Sequence, residues 1–338
     1  MRWQEVFSGA DPAILFNNTP HTKDSSHHGK FWHHRPDVRR EKLFPFLWNV
    51  VATEGQLYGN RDFNNRVNCK NPHWFSYPGY SEMLTGFVDR RIRSNDPIEN
   101  PNYTVFEFIH RQPGFENRVA AFATWEVFPF ILREGKSAFP VHIAKELMRS
   151  PIPKSIRGEE LIMHDLYSTS DDSVTFYSAF SFLKTRKPRV LFIGLDGTDH
   201  HAHAGDYEKY LSAAHGADQM ISRLWTWLQS QPGYKNQTTI LVTTDHGRGG
   251  GHRRSWTRHG RLAFGSGQAW FAVIGPGTAA YGEMKNRARY SLSQIAKTAA
   301  GFLGLDYYNV KPVGQAIETM REPGLPGTIF SETNHEKL

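Results

Sequence analysis

The chain has 338 residues, 39% of them hydrophobic and 22% charged, a composition that makes a globular protein with a large buried core. Its net charge of +7 is spread in short pairs such as Arg39-Arg40, Arg90-Arg91 and Arg253-Arg254, with no basic-aromatic module beside them; this suits an anionic small molecule and speaks against a nucleic-acid polymer. The lone Cys69 excludes an intrachain disulfide and a cysteine-rich zinc site, and no apolar run approaches the ~20 residues of a membrane span.

In chain order, Met1-Arg2-Trp3-Gln4-Glu5-Val6-Phe7 carries no signal-peptide core and enters directly as a helix-like segment. The histidine-rich stretch 21–34 reads as a polar surface loop, because nothing apolar frames it. Residues 43–52 have helical apolar spacing that stops near Gly55. Ser76 heads a Gly/Pro-punctuated turn that leads into Ser81-Glu82-Met83-Leu84, a helical start. It reads equally as a helix N-cap and as a nucleophile placed where amide groups and the helix dipole favour an anion. A helix start at 102–109 and a strand over 118–125 follow, then a weakly patterned excursion, 132–188, that ends in a helix over 173–184.

Residues 189–195 form a buried-strand run that ends in Asp196-Gly197-Thr198-Asp199-His200-His201-Ala202-His203. An amphipathic helix is predicted over 207–228. A second buried strand, 239–244, stops at Asp245-His246-Gly247, and a strand over 269–274 and a helix over 292–303 complete the pattern. Strands alternating with helices predict an α/β fold, doubly wound, with a mostly parallel sheet and helices on both faces. Residues 1–338 are expected to form one domain, with 132–188 a small inserted cap.

Open α/β sheets bind ligands at the carboxyl ends of their strands, where both charged runs sit. Asp199 and His203 are four apart, one helical turn, and so share a side. Asp245 and His246 are adjacent and can both ligate only from a turn, which Gly247 permits. His259, with Gly260 beside it, adds an imidazole and is preferred over His252 in the flexible Gly250-Gly251-His252-Arg253-Arg254 loop. Imidazole with carboxylate suits zinc, with manganese or iron as alternatives. A metal would also stand in for the general base that Ser76 lacks.

Three segments, Ser-Tyr-Pro-Gly-Tyr-Ser-Glu-Met-Leu-Thr-Gly at 76–86, Thr-Asp-His-His-Ala-His at 198–203, and Thr-Asp-His-Gly at 244–247 followed by Trp-Thr-Arg-His-Gly at 256–260, resemble the alkaline phosphatase superfamily, particularly its nucleotide pyrophosphatase/phosphodiesterase-like branch. The resemblance implies an alkaline-phosphatase-like fold and two divalent metal ions, Asp199, His203 and His259 holding one and Asp245 and His246 the other, with Ser76 attacking phosphorus in line. Asn95 resembles the amide that touches a phosphoryl oxygen in diesterase relatives, and reads equally as a turn residue before Asp96-Pro97. Sulfatase relatives carry an Arg where Tyr80 stands here, which speaks against sulfate esters. The family's first strand ends in Asp-Gly-x-Arg; Met1 falls at the variable position, so the Asp that would complete the second metal site is expected to lie upstream, in a strand this chain lacks. An exported protein, periplasmic or secreted, is implied if a signal peptide precedes that strand. The expected activity is metal-dependent hydrolysis of a small-molecule phosphate ester, diesters ahead of monoesters. A catalytically impaired binding protein, owing to the missing Asp, and a phosphomutase are the alternatives.

Overall fold

The computed structural model describes residues 1–16, 26–149, 171–250 and 255–321. Its strands are β1 (Gln56–Tyr58), β2 (Asn65–Asn68), β3 (Val119–Ala123), β4 (Val141–Ile143), β5 (Val190–Gly194), β6 (Ile240–Thr243), β7 (Gln268–Ala269), β8 (Phe271–Ile274), β9 (Gly282–Glu283) and β10 (Ala288–Ser291). They fall into three sheets: β6-β8-β1-β9, β10-β2-β7 and β4-β3-β5. The last is wholly parallel, with Ala121 opposite both Val141 and Phe192. In the first, β8 runs antiparallel to β6 and to β1. The expected α/β class is present, but the expected single sheet is divided.

The chain punctuates its elements as capping chemistry requires. Asp206 accepts the Lys209 N–H at 3.0 Å and opens the long helix Tyr207–Ser230, which buries Tyr207, Tyr210, Leu211 and Ala214. Thr104 caps Val105–His110 through the Glu107 N–H at 3.3 Å. The strand expected over 269–274 is interrupted at Trp270, because β7 pairs with β2 whereas β8 pairs with β1 and β6. The helix expected over 292–303 starts as a 3-10 turn, Leu292–Gln294, closed by a capping box on Ser291, and continues as Ile295–Phe302. Helix Asp171–Arg186 packs behind β3 and β5. Residues 150–170 of the excursion expected over 132–188 lie outside the described residues, as do His252 and part of the histidine-rich stretch. Among the described residues no helix is long and apolar enough to cross a membrane.

Candidate metal centre and nucleophile

Strands β5 and β6 both deliver their C-terminal ends to one place, although they do not pair with each other. After β5 the chain turns into helix Gly197–Ala204, which carries Asp199 and His203 on successive turns of one face; His203 Nε2 lies 3.0 Å from Asp199 Oδ2. After β6, Asp245 and His246 sit in an irregular turn and both face the same point, His246 Nε2 being 3.4 Å from Asp245 Oδ2 and 4.0 Å from Asp199 Oδ1. A short turn, Ser255–Thr257, then brings in His259, whose Nε2 is 3.7 Å from Asp199 Oδ2 and 2.8 Å from His203 Nε2. Asp199, His246 and His259 form the tightest group, with ligand atoms within 4.8 Å of one another. Asp199 thus faces His203 and His259 with one oxygen and His246 with the other.

The nucleophile candidate arrives from the far half of the chain. Ser76 is the first residue of helix Ser76–Thr85, and its Oγ is 3.3 Å from His246 Nε2. The residue before this helix, Phe75, has no side chain able to cap it, and the cap comes instead from a distant residue. Asn95 accepts the Tyr77 N–H at 2.9 Å through Oδ1, which leaves its NH₂ beside the helix start. Gly79 is required by close approach: a Cβ there would stand 2.3 Å from the Asp245 carbonyl oxygen. The loop before Ser76 is anchored by buried Glu82, which accepts N–H bonds from Lys70 at 2.9 Å and Asn71 at 2.7 Å.

Electrostatics suit a cation. Burial drives the His246 imidazole down to about 4 and, with His246 next to it, the His259 imidazole down to about 3, so both are neutral lone-pair donors. Nδ1–H of His246 donates to the Gly247 carbonyl at 2.7 Å, which turns Nε2 toward Ser76 and the carboxylates. Burial pushes Asp199 up, but its bond to His203 and the nearby His246, Arg248 and His259 outweigh that and hold it well below the usual carboxylate range. Burial and the Asp199 charge push Asp245 up to about 7, and burial with the same charge pushes Asp196 up to about 7. Carboxylates crowded until one must keep its proton are relieved by a divalent ion. His259 Nδ1 is buried without a hydrogen-bond partner, and the His203 and His259 Nε2 atoms lie 2.8 Å apart, close enough to share one ion. The residues present therefore fit a divalent ion.

Three groups at the site escape a motif-based reading. Arg248, buried, links all the metal-facing segments: it ion-pairs with Asp199, and its Nε and Nη2 donate to the Trp256 and Thr257 carbonyls at 2.8 and 2.7 Å. Asp172 accepts the Asp196 and Gly197 N–H groups, each at 2.8 Å, and the Thr124 hydroxyl at 2.7 Å. It thereby fixes the turn that feeds helix Gly197–Ala204. Asp196 stands directly after an apolar strand, the one sequence signal that could have marked it.

Residues 152–307 match the family model of the metalloenzyme superfamily; this span contains all five candidate metal ligands and excludes Ser76 and Asn95. Among solved structures, the fold is similar to a mutant of the alkaline phosphatase PafA (TM-score 0.57, 9% identity, 83% of this chain and 95% of that one). It is similar also to murine ectonucleotide pyrophosphatase/phosphodiesterase 5 (TM-score 0.53, 11% identity, 81% and 94%) and to a phosphonate monoester hydrolase from Silicibacter pomeroyi (TM-score 0.52, 14% identity, 83% and 72%). No curated protein sequence matches the chain.

Proposed function

We propose that the chain is a member of the alkaline phosphatase superfamily and that it hydrolyses phosphoric esters of small molecules with Ser76 as the nucleophile. One observation carries this reading: a serine hydroxyl at a helix N-terminus lies 3.3 Å from an imidazole of a carboxylate–imidazole cluster built from two strand ends and a loop. Divalent ions, zinc ahead of manganese or iron, would be held by Asp199, His203 and His259 and by Asp245 and His246, and would supply the positive charge that lowers the hydroxyl's pKa and neutralises phosphoryl oxygens. The chain's own groups do the rest. The Ser76 oxygen bonds to phosphorus as the leaving oxygen departs on the opposite side; the amides of helix Ser76–Thr85 and the Asn95 NH₂ hold a non-bridging oxygen. Water then breaks the phosphoseryl bond and returns the free serine.

Diesters or nucleotide-like esters are placed ahead of monoesters, because Asn95 sits against the nucleophile helix where a neutral amide donor suits a singly charged phosphoryl group. Sulfate esters rank lower: Tyr80 is half-buried against Phe128, ring centroids 4.7 Å apart, and brings no cation to the site. An exported location, periplasmic or secreted, belongs to the same proposal. Binding without turnover is a second reading, favoured by the Arg248–Asp199 ion pair, which already neutralises one ligand carboxylate. Release of nitrophenol from mono- and bis-nitrophenyl phosphate, with and without zinc, separates the two. Zinc-dependent release with the diester preferred supports hydrolysis; retention of zinc and phosphate without release supports binding alone.

A further inference from the structure

Arg66 on β2 and Arg289 on β10 are register partners in a parallel ladder. Val67 is buried and Tyr290 packs edge-on against Tyr58, ring centroids 5.1 Å apart, so strand alternation turns Arg66 and Arg289 to the opposite, outer face. With Arg287, two residues ahead of Arg289, they line a recess of about 320 Å³ completed by Asn64 and Ala288. Like charges set side by side on neighbouring strands repel. Among the described residues no acidic side chain forms an ion pair with any of the three. Glu283 on β9 accepts from Asn60 at 2.6 Å and pairs with Arg40 at 3.5 Å. Arg66 finds only a neutral acceptor, its Nη2 donating to Asn64 Oδ1 at 3.0 Å. A fourth cation deepens the field: Arg61 donates to the Val67 carbonyl at 3.3 Å and to Asn68 Oδ1 at 3.1 Å. Burial and the Arg66 charge push its guanidinium down to about 10.

This recess is separate from the metal centre. Strand β2 leads into Cys69, whose Sγ lies 3.5 Å from the Asp245 carbonyl oxygen. Arg66 stands three residues earlier, about 10 Å back along the strand at ~3.3 Å per residue.

Three guanidinium groups around one small volume restrict what can fill it. A chloride or a single carboxylate leaves two of the three charges unmatched. A diphosphate carries about three charges at neutral pH on two tetrahedra, whose oxygens pair with guanidinium forks two at a time. Ala288 is the one apolar residue of the lining, so an organic body has little to pack against inside. The charged group itself must therefore be the part that is bound.

We propose that Arg66, Arg287 and Arg289 form an anion site, apart from the metal centre, for the diphosphate group of a free pyrophosphate ion or of a nucleoside diphosphate. The bound anion bridges β2 and β10 and cancels the repulsion between them. Neither Ser76 nor a metal ligand takes part, so the site stands whether or not the chain hydrolyses esters.

The test titrates the full chain with pyrophosphate and with ADP at ~0.15 M salt, where surface charges are screened, and with EDTA present to keep the metal centre silent. Calorimetry reads affinity, and amide hydrogen exchange in peptides covering 61–70 and 284–292 reads location. Saturable binding is expected, with exchange in both peptides slowed by about 10-fold or more. Arg66→Gln and Arg289→Gln should each weaken binding by about 10-fold or more, and Arg289→Lys, which keeps the charge but loses the fork, should fall between. Without anion, Arg289→Gln should melt about 1–2 °C above the parent, because a repulsion has been removed. Binding of both probes supports a diphosphate group whose organic end stays in solvent; binding of pyrophosphate alone supports the free ion. No saturable binding, unchanged affinity in the glutamine variants, or equal protection by sulfate at matched ionic strength overturns the proposal. A free Arg289→Gln chain that melts below the parent also overturns it, by showing that Arg289 serves the fold.

Discussion

Ser76 acquires its chemical meaning from its neighbours. A serine at a helix start is structurally ordinary; one whose Oγ lies 3.3 Å from His246 Nε2, while Asn95 occupies the adjacent amide, carries the proposal that it attacks phosphorus. Ser76→Ala is expected to lower turnover by several powers of ten and to leave metal content unchanged; near-normal turnover would point to direct attack by water. His259 is the companion case. His259→Ala should lower bound zinc by about 10–100-fold in affinity, whereas His252→Ala should leave it unchanged, as read by metal analysis after dialysis. That Asp199, His203, Asp245, His246 and His259 would cluster was legible, because ligand-type residues follow two apolar strands or sit in a glycine-flanked turn. Arg248 was not, because a guanidinium bonded to carbonyls eight and nine residues on carries no local pattern.

Elements that hold these residues share one device, a buried carboxylate that ties backbone amides from another part of the chain. Glu82 does so for the loop before Ser76, and Asp172 for the turn after β5. Gly197 fits that turn because a Cβ there would stand 2.6 Å from Asp172 Oδ2. Asp172→Ala strands two buried amides, and about 2–4 kcal/mol of stability should be lost in chemical denaturation, with zinc affinity falling alongside. Asp172→Asn keeps one acceptor and should recover roughly half of both losses; equal stability of all three proteins would remove Asp172 from this role. Long elements were readable from periodicity: Tyr207–Ser230, β3, β5 and β6 lie where the apolar pattern puts them. Strands β1, β2, β9 and β10 were not, since Gln-Leu-Tyr, Asn-Arg-Val-Asn, Gly-Glu and Ala-Arg-Tyr-Ser lack the continuous apolar run that marks β6. Their pairing comes from distant partners, as when Leu57 faces Ala272.

At the scale of the whole molecule, the α/β class followed from alternating strands and helices, but the division into three sheets did not, because it depends on which edges meet. Buried carboxylates away from the metal centre also shape the pH response. Burial pushes Asp218 up to about 7, against the Phe46 and Leu47 amides that it accepts. An acid with a raised folded pKa binds more protons folded than unfolded. Its contribution is therefore fully present below about pH 4, falls as pH rises, and is lost by about pH 7. Asp218→Asn should lower overall stability, yet abolish that part of the slope between pH 4 and 7 in urea titrations; an unchanged slope would contradict the assignment. The central claim, that this fold brings Ser76 to a metal-dependent phosphoester centre, is tested most directly by bis-nitrophenyl phosphate hydrolysis after exhaustive chelation and zinc re-addition. The account predicts that chelation abolishes turnover, that zinc restores it in the parent chain and that zinc fails to restore it in Ser76→Ala. Turnover that survives chelation, or that zinc restores equally in Ser76→Ala, would contradict it.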